Sequence, residues 1–301
     1  MEIPARWQIG ELMTVTKQAY AKINLYLDVM GKRPDGYHDI KSVMLQVSLH
    51  DTVTVTRDGG DGIRLADMGD ELPCGEGNIA YRCADAFLRH YDLREGVYIQ
   101  IEKRIPIAAG LGGGSADGAA VLTAMAELFS DTIPADLDTL CTIGSTIGAD
   151  IPFCVVGGCA KTLGIGDRIT PMDYKPSYTI LLARDGQGIS TPRAYRALDD
   201  LYGDRLTEDF GDFAGFLASA AAGDAIPAHM CNTFENVILP QHPEAAALRE
   251  RILAGGGQAL MSGSGPAVFG LFADPEKARA VYDAMQADGI ESHLCRAVSR
   301  I

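Results

Sequence analysis

The chain has 301 residues, 47% of them hydrophobic and 22% charged, with a formal net charge of −14. At about 100–200 residues per domain this length predicts two domains of an ordinary globular protein. The acidic balance excludes a general binder of nucleic acid or of anionic membranes, because both repel such a surface. A small anionic substrate would then need a locally basic site, for which Lys22, Lys32, Arg33, Lys103 and Arg104 are candidates. The 7 cysteines include no Cys-x-x-Cys pair and no zinc-like Cys/His spacing, which predicts reduced thiols in a cytoplasmic protein. No apolar run approaches the roughly 18 residues of a membrane span. Residues 1–12 lack a signal-peptide core and read as an irregular extension.

In chain order, residues 15–29 read as a strand-like run broken over 19–24. Pro34, Asp35 and Gly36 mark a turn, with φ set by the proline and free to turn positive at the glycine. Residues 40–49 and 52–56 alternate apolar and polar side chains and predict two strands. Residues 58–77 form a loop-rich insert with a short strand near 63–65. Asn78 predicts the cap of a helix to about residue 91, with Ile79, Cys83, Ala86 and Phe87 facing inward. Residues 97–103 alternate again, as a strand does.

Next come four glycines in five positions, Gly110, Gly112, Gly113 and Gly114, then Ser115. Ala116, Ala119, Ala120, Leu122, Met125, Ala126 and Phe129 follow at helical spacing. The glycines therefore join a strand to a helix start, where unpaired N–H groups and a positive dipole end favour an anion. Glycine lets the backbone approach that anion closely, so the stretch reads as a phosphate cradle. A tight strand–helix turn uses the same residues, and the cluster alone leaves both readings open. It is neither a Walker A loop, which needs Gly-Lys-Ser/Thr, nor a dinucleotide fingerprint, which needs an acid on the following strand.

A helix over 136–147 ends at Gly148, Asp150 and Pro152. Residues 153–156, 159–163 and 168–172 read as short strands, and 174–177 as a linker. A strand over 178–183 precedes helices over 191–202, 208–222 and 244–253. Strands over 258–262 and 267–272 flank Ser262, Gly263, Ser264, Gly265 and Pro266; a helix over 275–288 and a strand over 291–298 close the chain. Both halves mix strands and helices, so the fold class is α+β.

Pro106, Gly110, Leu111 and Ser115 resemble the second motif of the GHMP kinases, the family of galactokinase, homoserine kinase and mevalonate kinase. Ala21 to Leu25 and Ser262 to Pro266 lie where that family keeps its other two motifs, so the resemblance spans nearly the whole chain. Gly31 to His38 and Ile147 to Pro152 resemble the branch that acts on a cytidine diphosphate-linked sugar alcohol. The resemblance implies a two-domain α+β fold. Residues 1–173 would form an N-terminal nucleotide-binding domain like ribosomal protein S5, and 174–301 a C-terminal ferredoxin-like α/β layer, with the active site in the cleft between them. It implies a cytoplasmic monomer or weak homodimer that transfers the ATP γ-phosphoryl with Mg2+, and no nucleic-acid or membrane partner.

Residue by residue, it implies Lys22 and Asp150 as the catalytic pair. Asp150 would accept the hydroxyl proton, while Lys22 polarises that hydroxyl and favours the ionised carboxylate. ATP would be held by Lys103, Pro106, Ile107, Ala108, Ala109, Gly110, Leu111, Gly112, Gly113, Gly114, Ser115 and Ala116, with Ser115 also on the metal. Tyr37 would stack on the pyrimidine, His38 read its edge, and Tyr195 form a second aromatic wall; Asn24 and Thr191 are further polar contacts. Asp117, in the expected first helical turn, either helps hold the metal or points away. Two other readings stand beside this one: a GHMP kinase for another alcohol such as homoserine or mevalonate, and a non-catalytic nucleotide-binding regulator.

Overall fold

The computed structural model describes residues 13–66, 72–174, 176–207, 209–223 and 228–300. The expected extension at 1–12, part of the 58–77 insert, Lys175 of the expected linker and Glu208 at an expected helix start lie outside the described residues. Close packing divides the chain into two units, each built from separated segments. One takes residues up to Ala19, His50–Arg104 and Gly114–Val155; the other takes Tyr20–Leu49, Ile105–Gly113 and Val156 onward.

β1 (Met13–Lys32) and β2 (His38–Arg57) are uninterrupted strands of 20 residues each. The break expected at 19–24 is absent because residues 21–29 are buried throughout, and a strand buried on both faces does not alternate. The break expected between 49 and 52 is absent too. Asp51 is fully buried there and has its own partners, described below.

In the first unit, Thr52 to Arg57 of β2 pair antiparallel with β4 (Val97–Glu102), which lies parallel to β3 (Ile63–Leu65). α1 (Ile79–His90) starts at Asn78, whose Oδ1 accepts from the Ala80 amide at 2.9 Å. Its buried face is Ala80, Cys83, Ala84, Phe87 and Leu88, so Ile79 and Ala86 sit at the margin. α2 (Gly113–Leu128) approaches α1 so closely that a Cβ on Gly118 would lie 2.7 Å from Cys83 Sγ. α3 (Leu137–Ser145) is capped by Asp136. The strand expected at 153–156 is instead α4 (Ile151–Val156). Pro152 is tolerated in a first turn, and the Cys154 amide donates to the Asp150 carbonyl at 3.1 Å, which closes that turn.

In the second unit, β5 (Cys159–Leu163) pairs with Ser42 to Leu45 of β2 and with β6 (Arg168–Met172). β7 (Thr179–Arg184) is followed by α5 (Thr191–Tyr202). The helix expected over 208–222 is shorter: α6 (Phe213–Ala221) restarts at Asp212, which caps it through the Gly215 amide at 2.8 Å. A two-residue strand, β8 (Cys231–Asn232), runs parallel to Tyr26 and Leu27, and α7 (Glu235–Ile238) follows; neither has a periodicity long enough to read. α8 (Pro243–Ala254), β9 (Gln258–Met261), β10 (Val268–Phe272), α9 (Pro275–Ala287) and β11 (Glu291–Cys295) complete the chain. The sheet order β11-β7-β10-β9, antiparallel throughout, is the ferredoxin-like layer. Leu181, Val268 and Phe272 on its strands pack against Leu248 and Ile252 of α8 and Val281 and Met285 of α9. No helix among the described residues is long and apolar enough to cross a membrane. All the cysteines are free thiols.

A buried carboxylate ties β1 to the loop before α6 and to β8. Asp28 accepts from Thr233 Oγ1 at 2.7 Å and from the Phe210 and Gly211 amides at 3.0 and 3.3 Å. Each buried donor left without an acceptor costs about 1–3 kcal/mol. Asp28→Ala is therefore expected to lower the urea unfolding free energy by about 3 kcal/mol; an unchanged midpoint would contradict this clamp.

Candidate active site

The glycine stretch leaves the second unit at Gly113 and enters the first at Gly114. Within the second unit its backbone is held from two sides. The Lys22 amide donates to the Leu111 carbonyl at 2.9 Å, the Ala267 amide to the Ala109 carbonyl at 3.1 Å, and Ser262 Oγ to the Gly110 carbonyl at 3.0 Å. Gly110 and Gly112 adopt φ of 80° and 71°, where a side chain is strained. A Cβ on Gly110 would strike the Ser262 carbonyl oxygen, and one on Gly112 would lie 2.9 Å from Lys22 Cγ. With the loop carbonyls so engaged, the first amides of α2 stay directed out of the helix end, as helix geometry requires.

Lys22 is only 5% exposed, so it is no solvated strand lysine. Its Nζ donates to Asn24 Oδ1 at 2.8 Å; Asn24 Nδ2 donates to Ser42 Oγ at 2.9 Å, and Ser42 Oγ to the Tyr26 carbonyl at 2.7 Å. A Cβ on Gly263 would lie 3.3 Å from Lys22 Nζ, which places the ammonium beside the second glycine turn as well. That turn contains a cis Gly265–Pro266 bond. Asn232 Nδ2 braces it by donating to the Met261 and Gly263 carbonyls at 2.7 and 2.9 Å. Thr191 joins it through a 3.0 Å bond between its hydroxyl and that of Ser264.

The hairpin residues gather on α5 in the same unit. Tyr37 is 61% exposed, whereas His38 is buried and stacks on Tyr195 at 4.8 Å and 20°. His38 Nε2 lies 2.6 Å from Asp199 Oδ1, and Lys32 Nζ lies 2.7 Å from Asp199 Oδ2. Burial acts to raise the Asp199 carboxyl, but hydrogen bonds from Lys32 and His38 outweigh it and hold the group below its ordinary range.

In the first unit, Gly114, Ser115 and Ala116 open α2. A Cβ on Gly148 would sit 3.9 Å from Ser115 Oγ, so the helix start and the turn leading to Asp150 are neighbours. Asp150 immediately precedes α4 rather than trailing the helix before it. Lys103 is not an exposed lysine: its Nζ donates to Asp117 Oδ2 at 2.6 Å and to Asp51 Oδ2, while the Arg104 amide donates to Asp51 Oδ1. Because α2 begins at Gly113, Asp117 falls in its second turn and turns toward Lys103. Asp117 Oδ1 is buried without a hydrogen-bond partner.

Magnesium suits hard oxygen donors and keeps few protein ligands when phosphates supply the rest. The Ser115 hydroxyl, half-buried at the head of α2 with glycine opposite, fits that role. Asp117, two residues on, turns its Oδ2 toward Lys103 instead.

Ser42, Asp51, Asp199 and Asn232 were not singled out in the sequence. A buried acid inside a strand was the available signal for Asp51. The i, i+4, i+8 spacing of Thr191, Tyr195 and Asp199 on one helix face was the signal for Asp199.

Residues 78–158 match the GHMP kinases N terminal domain and residues 213–291 the GHMP kinases C terminal domain. Fold, loop and both matches define a GHMP kinase. The chain is 40% identical to a 4-diphosphocytidyl-2-C-methyl-D-erythritol kinase of Pelotomaculum thermopropionicum, over 89% of this chain and 93% of that one. It is 37% identical to the kinase of that name in Exiguobacterium sibiricum, over 94% and 98%. A crystal structure of 4-(cytidine 5'-diphospho)-2C-methyl-D-erythritol kinase superposes with a TM-score of 0.76 at 33% identity, covering 94% of this chain and 99% of that one. A homoserine kinase of Cytophaga hutchinsonii shares the fold at 17% identity, with a TM-score of 0.70 over 95% of each chain. The chain belongs to the GHMP kinases, in the branch of the 4-diphosphocytidyl-2-C-methyl-D-erythritol kinases.

Burial pushes the Asp117 carboxyl up to about 7; Lys103 pulls it down and Asp51 adds to the rise. The folded value thus exceeds the unfolded one, near 3.9. Stability linked to this group is complete below about pH 4 and is lost as pH rises through about 7. Asp117→Asn should therefore gain in urea unfolding free energy relative to the parent between pH 5 and pH 8; a pH-independent difference would contradict the raised pKa.

Proposed function

We propose that this chain phosphorylates the 2-hydroxyl of 4-diphosphocytidyl-2-C-methyl-D-erythritol with ATP, giving the 2-phosphate and ADP in the non-mevalonate route to isoprenoid precursors. The observation that carries this reading is the agreement, over nearly the whole chain, with kinases of that name. The geometry supports it. We assign the backbone of residues 106–116 to the phosphates of ATP and Ser115 to Mg2+. That ion, when bound with ATP, neutralises phosphate charge. Lys22, oriented by Asn24 beside both glycine turns, supplies a fixed cation for the transferring phosphoryl group. Asp150, the residue before α4, accepts the proton of the 2-hydroxyl. Phosphoryl transfer needs this positioning and charge more than covalent chemistry.

On the acceptor side, Tyr37 and Tyr195 flank the pyrimidine, His38 reads its edge, and Asn24 and Thr191 make the remaining polar contacts. Lys103 contributes to the nucleotide side through its place beneath α2. Free thiols suit a cytoplasmic enzyme. Neither a homoserine or mevalonate kinase nor a non-catalytic regulator is favoured: likeness to the former rests on fold alone, and Lys22 and Asp150 are both present.

Incubation with MgATP and the cytidyl substrate, homoserine or mevalonate, followed by ADP release, tests the reading. ADP should form with the cytidyl substrate alone, and its absence there would sink the proposal. General-base catalysis is worth about 10²–10⁴-fold. Asp150→Asn should accordingly lower kcat by about that factor while the Kd for an ATP analogue stays within about threefold; unimpaired turnover would remove Asp150 from the role of base.

A further inference from the structure

His38 of the hairpin is held by two side chains of α5, Tyr195 and Asp199. Tyr195 and Asp199 are one turn apart on the same face of α5, which lets a single helix serve both the face and the edge of the His38 ring. Tyr195 backs the imidazole at an interplanar angle of 20°, and its own edge is braced by Phe234 at 5.0 Å and 83°. Asp199 takes Nε2 at 2.6 Å. With its pKa below the ordinary range, Asp199 is a carboxylate at neutral pH and can only accept, so His38 Nε2 must carry the proton. Lys32 on Oδ2 balances the charge of that carboxylate. In a neutral imidazole, a proton on Nε2 leaves the lone pair on Nδ1, on the side away from Asp199.

We propose that Asp199, seconded by Lys32, is a positioning residue that locks His38 as the Nε2–H tautomer, so that Nδ1 selects a pyrimidine carrying an exocyclic amine over one carrying a carbonyl there. This rests on the reading of His38 as the base reader given above. A base hydrogen-bonded edge to edge with His38 is coplanar with the imidazole, and therefore lies in a layer parallel to the Tyr195 ring. One geometry thus satisfies both stacking and edge reading. Cytosine offers an N–H donor to Nδ1. Uracil offers an oxygen lone pair, which repels Nδ1 and leaves it unpaired. The selection works by an unfavourable contact as well as a favourable one. An unmet buried polar group costs about 1–3 kcal/mol, or roughly 10–100-fold in selectivity.

The test compares kcat/KM for the cytidine and uridine diphosphate-linked forms of the same sugar alcohol in the parent, Asp199→Asn and Asp199→Glu. An asparagine can present either its oxygen or its amide N–H to Nε2, so it no longer dictates the tautomer. Asp199→Asn should narrow the cytidine preference by about 10-fold or more, through KM for the cytidyl substrate, with the KM for ATP unchanged. Asp199→Glu should restore part of the preference. An equal loss with both substrates would reduce Asp199 to a structural residue and overturn the proposal. A parent inactive on either substrate would instead overturn the function reading on which it rests. 15N NMR of His38 in the parent gives a readout independent of activity. A neutral ring protonated on Nε2 is expected at pH 7.5; protonation on Nδ1, or on both nitrogens, would refute the lock even if the variants fail to fold.

Discussion

The glycine loop depends on there being no room for a Cβ at Gly110 and Gly112. The loop passes between the Ser262 carbonyl on one side and the Lys22 side chain on the other, and both contacts are closer than any alanine permits. Three backbone or hydroxyl bonds then hold its carbonyls to β1 and to the second glycine turn. Two stretches more than 150 residues apart in the chain, 110–112 and 262–266, thereby act as one element.

Charge is arranged by the same economy. The protein is strongly acidic as a whole, yet three of its lysines are each placed by their partners. Lys103 is engaged by two carboxylates and underpins α2 from within the first unit. Lys32 offsets the charge on Asp199. Lys22 donates to the neutral amide oxygen of Asn24, which orients its ammonium. A loop with no lysine of its own needs such a cation brought from elsewhere in the chain, and in the function proposed above Lys22 of β1 supplies it.

Much of this was legible in the sequence, and the misreadings have physical causes. Glycine density, helix caps at Asn78 and Asp136, and the amphipathic helices at 191–202 and 275–287 report local chemistry, so they survive without the fold. The middle of β1 did not, because burial on both faces erases the period of two and inserts Lys22, Asn24 and Asp28 among apolar residues. The segment at 153–156 is apolar and short, a pattern shared by a buried strand and a buried helix; its tertiary setting against Gly144 decides for helix. Asp51, Asp199 and Asn232 owe their importance to partners 29 to 161 residues away, a relation no local pattern encodes.

The central claim is that Lys22 is a preorganised cation for the transferred phosphoryl group rather than a structural strut for the loop. The most direct measurement pairs single-turnover phosphoryl transfer with equilibrium binding of an ATP analogue in Lys22→Met. Methionine keeps the aliphatic stem that fills the space beside Gly112 and removes only the charge. The account predicts a fall in the transfer rate of about 10²–10³-fold with ATP-analogue affinity and unfolding midpoint near those of the parent. A transfer rate near that of the parent, or a loss confined to nucleotide affinity and stability, would contradict it.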